Sequence, residues 1–127
     1  MKLINKETVR KLSRGDVKKV ERSWGHELWI VNKPEYCGKI LFFKKGMRCS
    51  LHFHLKKDET FFLQNGRLKV RLRYQDGIDD IIEMVPGDSM HIPQGLMHQM
   101  EGLEDSELFE FSTEHFDEDA FRVEKGS

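Results

Sequence analysis

The fold of this chain is decided by two stretches, Gly46-Met-Arg-Cys-Ser-Leu-His52-Phe-His54-Leu-Lys-Lys-Asp-Glu59-Thr-Phe-Phe-Leu-Gln-Asn-Gly66 and Gly87-Asp-Ser-Met-His-Ile-Pro93-Gln-Gly95-Leu-Met-His98. His52 and His54 are two residues apart, so on a β-strand their side chains point to the same face. Glu59 follows a polar turn and can return antiparallel, which would bring its carboxylate opposite the imidazoles. His98 comes just after Pro93-Gln-Gly95, which is typical of a tight turn.

The candidate metal ligands are therefore His52, His54, Glu59 and His98. Three imidazoles and one carboxylate suit divalent Fe, Mn, Co, Ni, Cu or Zn, whereas Mg and Ca prefer shells of oxygen alone. The sequence predicts one divalent transition-metal ion per chain as the cofactor. The alternative is a metal-free barrel in which the same histidines are ordinary core or surface residues.

Both stretches resemble the two sequence motifs of the cupin superfamily. The first has Gly, five residues, His-x-His, four residues, Glu, six residues and Gly, and the second has Gly, five residues, Pro-x-Gly, two residues and His. Only the last motif position differs, because Gly102 stands where family members often carry asparagine. The resemblance implies an all-β fold of the cupin type, a double-stranded β-helix or jelly-roll barrel.

The rest of the chain is also typical of an all-β protein. Short β-rich segments alternate with turn signals such as Asn32-Lys-Pro34, Asp76-Gly77 and Pro86-Gly87, which indicates a sandwich or barrel. One short N-terminal helix is predicted over Leu3 to Leu12. We expect a single cupin domain over 1–127, with the barrel at about 17–112 and a C-terminal tail, 113–127, that packs loosely or frays.

Composition limits the classes of partner. Lys and Arg number 21 and Asp and Glu 22, so the net charge of −1 provides no general attraction for nucleic acid. No apolar run approaches the roughly twenty residues of a membrane span, and the N-terminus lacks the pattern of a secretory signal, so a cytoplasmic location is expected. Cys37 and Cys49 are interpreted as free, small packing residues.

Three further residues are candidates for catalysis or substrate binding. If the strand before His52 is regular, Arg48 shares the ligand face and can bind an anionic group at the cavity mouth; otherwise it is a solvated residue. Lys57 can reach an anion or lie in water. His91 is a candidate acid or base, or else a structural histidine. His26 and His115 have no partner at ligand spacing and are assigned to the surface.

Two predicted strands are apolar on both faces, Leu28-Trp-Ile-Val31 and Ile40-Leu-Phe-Phe43. Both faces of each must then be covered. A homodimer in which these strands meet a second copy is one solution, and cover by the chain's own helix and tail is the other.

A narrower resemblance concerns the type II mannose-6-phosphate isomerase cupins. It rests on Val20-Glu-Arg-Ser-Trp24-Gly25-His-Glu27, on Tyr36-Cys-Gly-Lys39-Ile-Leu, and on Lys45-Gly46-Met-Arg-Cys-Ser50-Leu-His52. The chain departs from that family at Ser23, where the family has proline, and at Lys57-Asp58, where an arginine usually precedes the glutamate.

This resemblance implies a metal-dependent enzyme that interconverts aldoses and ketoses, with a small molecule such as an anionic sugar as substrate. The alternatives are an Fe(II)-dependent dioxygenase of a small molecule and a non-catalytic metabolite-binding module. An isomerase should work without oxygen, an oxygenase should consume it, and a binding module should turn nothing over.

Overall fold

A computed structural model describes all 127 residues, and its eleven strands form two antiparallel sheets. The strands are β1 (Lys18–Arg22), β2 (Gly25–Lys33), β3 (Tyr36–Phe43), β4 (Leu51–Phe53), β5 (Glu59–Asn65), β6 (Leu68–Arg73), β7 (Asp79–Met84), β8 (Ser89–Ile92), β9 (Met97–Gly102), β10 (Ser106–Ser112) and β11 (Phe121–Glu124). Sheet A has the order β1-β2-β3-β10-β5-β8, and sheet B has the order β11-β4-β9-β6-β7. The all-β prediction is confirmed.

The strands bury alternate residues, as expected for two packed sheets with one solvent face each. In sheet A the inner face changes in character along each strand. On β3, Leu41 and Phe43 belong to the hydrophobic core, whereas Lys39, nearer the start of the strand, is a buried charged residue. On β10, Leu108 belongs to the core and Glu110, two residues later, is a buried charged residue. In the pairing of β10 with β3, Glu110 lies opposite Lys39 and Leu108 lies opposite Leu41. The charged pair and the apolar pair therefore lie at different levels along the strands, so one end of the barrel is apolar and the other end is lined by charged groups.

The predicted N-terminal helix is absent. Residues 1–16 are exposed and contain only two single 3-10 turns, Lys6–Thr8 and Arg14–Asp16. Ile4 and Val9 keep 72% and 75% of their surface exposed, so no apolar face is buried that could stabilise a helix of this length. No helix in the structure is long and apolar enough to cross a membrane.

The C-terminal segment also differs from the prediction of a loose tail. After a 3-10 turn at Asp117–Asp119, β11 joins the edge of sheet B by pairing with β4. The ring of Phe121 stacks on that of Phe53 with 5.2 Å between centroids. The segment is therefore a strand of the barrel that begins and ends beside the cavity described next.

Both cysteines are buried and free, in agreement with their interpretation as packing residues. Cys49 lies in the hydrophobic core, and burial raises the pKa of its thiol to about 12.

Candidate metal centre

Three histidines converge on the inner face of sheet B. His52 lies on β4, His54 follows directly after that strand, and His98 lies on β9 in register with His52. One nitrogen from each ring lies within 4.8 Å of the others. The sequence spacing of two residues and the pairing of β4 with β9 thus produce the cluster that the motifs predicted.

Backbone carbonyls fix the orientation of all three rings. The Nδ1 atoms donate to carbonyl oxygens: His52 to Ser50 at 2.9 Å, His54 to Asp119 at 2.8 Å and His98 to Leu96 at 2.9 Å. Since a carbonyl only accepts, each Nδ1 carries a proton, and in the neutral ring Nε2 is then the atom with a lone pair. Such outer hydrogen bonds are what hold the histidine ligands of metal sites in place.

Glu59 completes the set from the facing sheet. Its Oε2 atom lies 3.3 Å from Nε2 of His54 and 3.3 Å from Nε2 of His98. Glu59 Oε2 and His98 Nε2 are buried and have no hydrogen-bond partner. Buried acceptors that face one another without a donor are costly, and a shared cation removes that cost. The three clustered histidines therefore fit a divalent transition metal, and the Glu59 carboxylate beside two of them is a donor of the right type for a fourth ligand.

His52 and His54 are in the protonation state that metal binding requires. Burial, reinforced by the neighbouring His98, lowers the pKa of His52 to about 3. Burial and then the charge of Lys57 lower the pKa of His54 to about 4. Both imidazoles are therefore neutral at pH 7, and no proton has to leave them before they can bind an ion.

The cluster opens into a cavity of about 580 Å³, a size suited to a small molecule. One wall is lined by a row of charged side chains from sheet A. Arg22 Nε lies 2.7 Å from Glu27 Oε2, and Lys39 Nζ lies 3.5 Å from Glu27 Oε1. These side chains and Lys57 are cavity-lining groups with charge partners already beside them.

Lys57 is the catalytic candidate that the structure brings to the centre. Its buried Nζ atom lies 3.7 Å from Glu59 Oε1, 3.2 Å from Glu110 Oε2 and 3.3 Å from His115 Nδ1. Burial opposes the charge of Lys57, but Glu110 and Glu59 outweigh it and raise the pKa of the amine overall. Lys57 is a protonated hydrogen-bond donor next to the cluster.

Arg48 and His91 lie elsewhere. The expected regular strand from Gly46 does not form, because β4 begins only at Leu51 and Arg48 makes an isolated bridge to Glu101. Cys49 turns into the core and Arg48 is exposed, outside the cavity lining. His91 faces solvent on β8, where it pairs with Asp58, while its neighbour Ile92 points inward.

His115, which the sequence predicts to lie at the surface, lines the cavity with only 10% of its side chain exposed. Its Nε2 atom donates to Asp117 Oδ1 at 2.9 Å, and its Nδ1 accepts from Lys57. Burial, together with the charges of Lys39 and Lys57, lowers its pKa. No local sequence signal places this residue, because it reaches the cavity only through the long-range docking of the C-terminal segment.

Comparison with known proteins supports the cupin fold. No family model and no curated protein matches the sequence. Among solved structures, oxalate decarboxylase from Bacillus subtilis matches 88% of this chain with a TM-score of 0.78 and 21% identity. The capsular polysaccharide assembling protein CapF from Staphylococcus aureus matches 85% of it with a TM-score of 0.73 and 24% identity.

Both of these proteins have the cupin fold, and so does this chain. The chain covers 31% of the length of the oxalate decarboxylase and 32% of that of CapF, about a third of each. The matches do not support the narrower resemblance to mannose-6-phosphate isomerases. B. subtilis oxalate decarboxylase has Mn(II) centers.

Proposed function

We propose that this chain is a metal-dependent enzyme acting on a small oxygen-rich molecule. His52, His54, Glu59 and His98 would hold one divalent transition-metal ion. The single observation that carries this proposal is the convergence of three fixed imidazoles, two of which lie 3.3 Å from buried Glu59 Oε2, an atom with no hydrogen-bond partner. The Mn(II) of a protein with the same fold is consistent with an ion of this type.

The reaction we favour is the interconversion of an aldose and a ketose. A bound divalent ion would supply Lewis-acid polarisation of a carbonyl or hydroxyl oxygen. Around it, protonated Lys57 can donate a hydrogen bond to a second substrate oxygen, a bond strengthened by its charge. When Lys57 donates to the substrate and no longer to His115, the Nδ1 lone pair of the neutral His115 ring is free, which makes His115 a candidate acceptor for the proton that moves between neighbouring carbons.

An assay under argon tests this reaction directly. Protein loaded in turn with Mn(II), Co(II), Zn(II) and Fe(II) is incubated with a panel of aldoses, ketoses and their phosphates, and the products are separated. We expect isomerisation with more than one of these metals and none in the His52→Ala, His98→Ala double variant.

The outcome also separates the alternatives. A dioxygenase, which the same ligand set suits, would turn over only with Fe(II) and in air, with measurable consumption of oxygen. A binding module would bind a member of the panel and convert none of it. Either result would overturn the isomerase proposal while leaving the metal centre intact.

A further inference from the structure

Arg122 lies at the cavity, in the kind of position that the sequence predicts for Arg48. In sheet B, Arg122 of β11 is in register with His52 of β4, and His52 is in register with His98 of β9. Directly paired residues of antiparallel strands project from the same face of a sheet. The three side chains therefore form one row on the inner face, and Arg122 lines the cavity beside the histidine cluster.

The charge of Arg122 has no partner within the protein. Arg71 and Arg73 of the same sheet both pair with Asp79 and Glu124, whereas no carboxylate lies within ion-pair distance of Arg122. Lys125, which also lines the cavity, has no ion-pair partner either.

The deeper charges of the cavity are already balanced. Arg22, Lys39 and Lys57 offset Glu27, Glu59 and Glu110, three cations against three anions that lie next to one another. Glu21, a further acid of the lining, pairs with Lys19 at 3.2 Å. Arg122 and Lys125 are thus the two cations of the lining without an ion-pair partner, and a divalent ion in the histidine cluster would add positive charge to the same cavity.

The strand that carries Arg122 is fastened at both ends. Before it, the Asp119 carboxylate accepts hydrogen bonds from the backbone of Leu55, Lys56 and Lys57. After it, the Ser127 amide donates to the Arg48 carbonyl at 2.9 Å. The guanidinium group is thus presented from a fixed element of the barrel, which limits the entropy lost when it binds a ligand.

We infer that Arg122, assisted by Lys125, binds an anionic oxygen group of the substrate, a phosphate or a carboxylate. The guanidinium fork matches two oxygens of either group. This inference rests on the proposed function, since it names the class of substrate that would enter the same cavity. It also moves the anion-binding role from Arg48 to a residue that lines the cavity.

Titration of small anions by NMR tests the inference. Zinc-loaded and metal-free full-length protein are titrated separately with inorganic phosphate and with acetate, following the backbone amides of β4 and β11. In Arg122→Ala we expect the dissociation constant of at least one anion to rise about ten-fold or more, the usual loss for a charged hydrogen bond. Arg122→Glu should abolish binding of that anion.

Arg48→Ala is the matched control, because the Arg48 side chain is also exposed but lies outside the cavity lining. It should leave both dissociation constants within two-fold of the parent. If Arg122→Ala does not fold, Arg122→Gln replaces it. The anion whose affinity depends on Arg122 identifies the group, phosphate or carboxylate.

The inference would be overturned if Arg122→Ala bound phosphate and acetate as tightly as the parent protein does. It would also be overturned if the parent bound neither anion. Failure of the proposed function looks different. A parent that takes up no metal but binds phosphate through Arg122 would support the anion site and contradict the metal-dependent enzyme.

Discussion

Asp119 is the residue that connects the C-terminal segment to the histidine cluster. Its buried carboxylate accepts hydrogen bonds from the backbone N–H groups of three consecutive residues, Leu55 to Lys57, with N···O distances of 2.9 to 3.2 Å. Its own carbonyl accepts from His54 Nδ1. Burial raises the pKa of this carboxyl, but the three N–H groups outweigh it and lower the pKa overall. One residue thus shapes the turn between His54 and Glu59 and orients an imidazole.

Replacing Asp119 by Ala should therefore affect both stability and metal binding. Three N–H groups would lose their acceptor, and we expect unfolding to become easier by about 2–3 kcal/mol. Metal affinity, measured by chelator competition, should fall by roughly ten-fold or more, as is typical when support behind a ligand is lost. Asp117→Ala is the control, since that carboxylate is 88% exposed. Unchanged metal affinity in Asp119→Ala would contradict the role we assign.

His52 and His54 make the metal-free protein sensitive to acid. Their pKa values are about 3 and about 4 when folded, against an ordinary value of 6.5. Below pH 6.5 the unfolded chain binds more protons than the folded one, so stability should fall as pH drops from 6.5 through 4. His54 alone accounts for about 3 kcal/mol at most. Urea unfolding with chelator at pH 7, 5 and 4 measures this, and His54→Gln should flatten the slope. A parent curve independent of pH would refute it.

Strand β11 and the N-terminal segment show where sequence reasoning succeeded and failed. The His-x-His spacing and the following glutamate could be predicted, because strand alternation is local and the motif positions are close in sequence. The strand at Phe121–Glu124 could not, because its pairing with β4 spans about seventy residues. The helix at Leu3 to Leu12 was predicted from apolar residues that have nothing to pack against. The prediction that Arg48 faces the cavity was wrong because β4 begins only at Leu51, three residues after Arg48.

Two glycines test whether β11 is fixed in place. A Cβ on Gly126 would lie 2.5 Å from the Cys49 carbonyl carbon, whereas a Cβ on Gly15 would meet nothing within 4 Å. Gly126→Ala should therefore destabilise the protein by about 1–2 kcal/mol as the strand end shifts, and Gly15→Ala should be neutral. Thermal unfolding of both variants distinguishes them. Equal melting temperatures would show that the end of the C-terminal segment is not held as described.

The two sheets present different surfaces to solvent, which bears on assembly. Across the outer face of sheet A, a row of apolar side chains runs over four strands: Leu28, Ile40, Phe109 and Phe62. Phe111, next to this row, is 58% exposed. The outer face of sheet B instead carries the ion pairs of Arg71 and Arg73. The predicted dimer would therefore form through sheet A.

Light scattering at micromolar concentration tests this dimer. We expect twice the chain mass of 15.0 kDa and an interface of more than about 1,000 Å². Phe109→Lys should give monomers, while Ile81→Lys, an exposed apolar position on sheet B, should not. A parent protein of 15.0 kDa would rule the dimer out.

The metal content of the purified protein is the decisive test of the proposed metal centre. Protein prepared without a metal-affinity tag is dialysed and analysed for Mn, Fe, Co, Ni, Cu and Zn. Three converging imidazoles with a carboxylate beside them predict about one transition-metal ion per chain in the parent. They predict almost none in the His52→Ala, His98→Ala double variant, with the fold retained by circular dichroism. A parent that binds no such ion even when it is supplied, or a double variant that binds as much as the parent, would contradict the account.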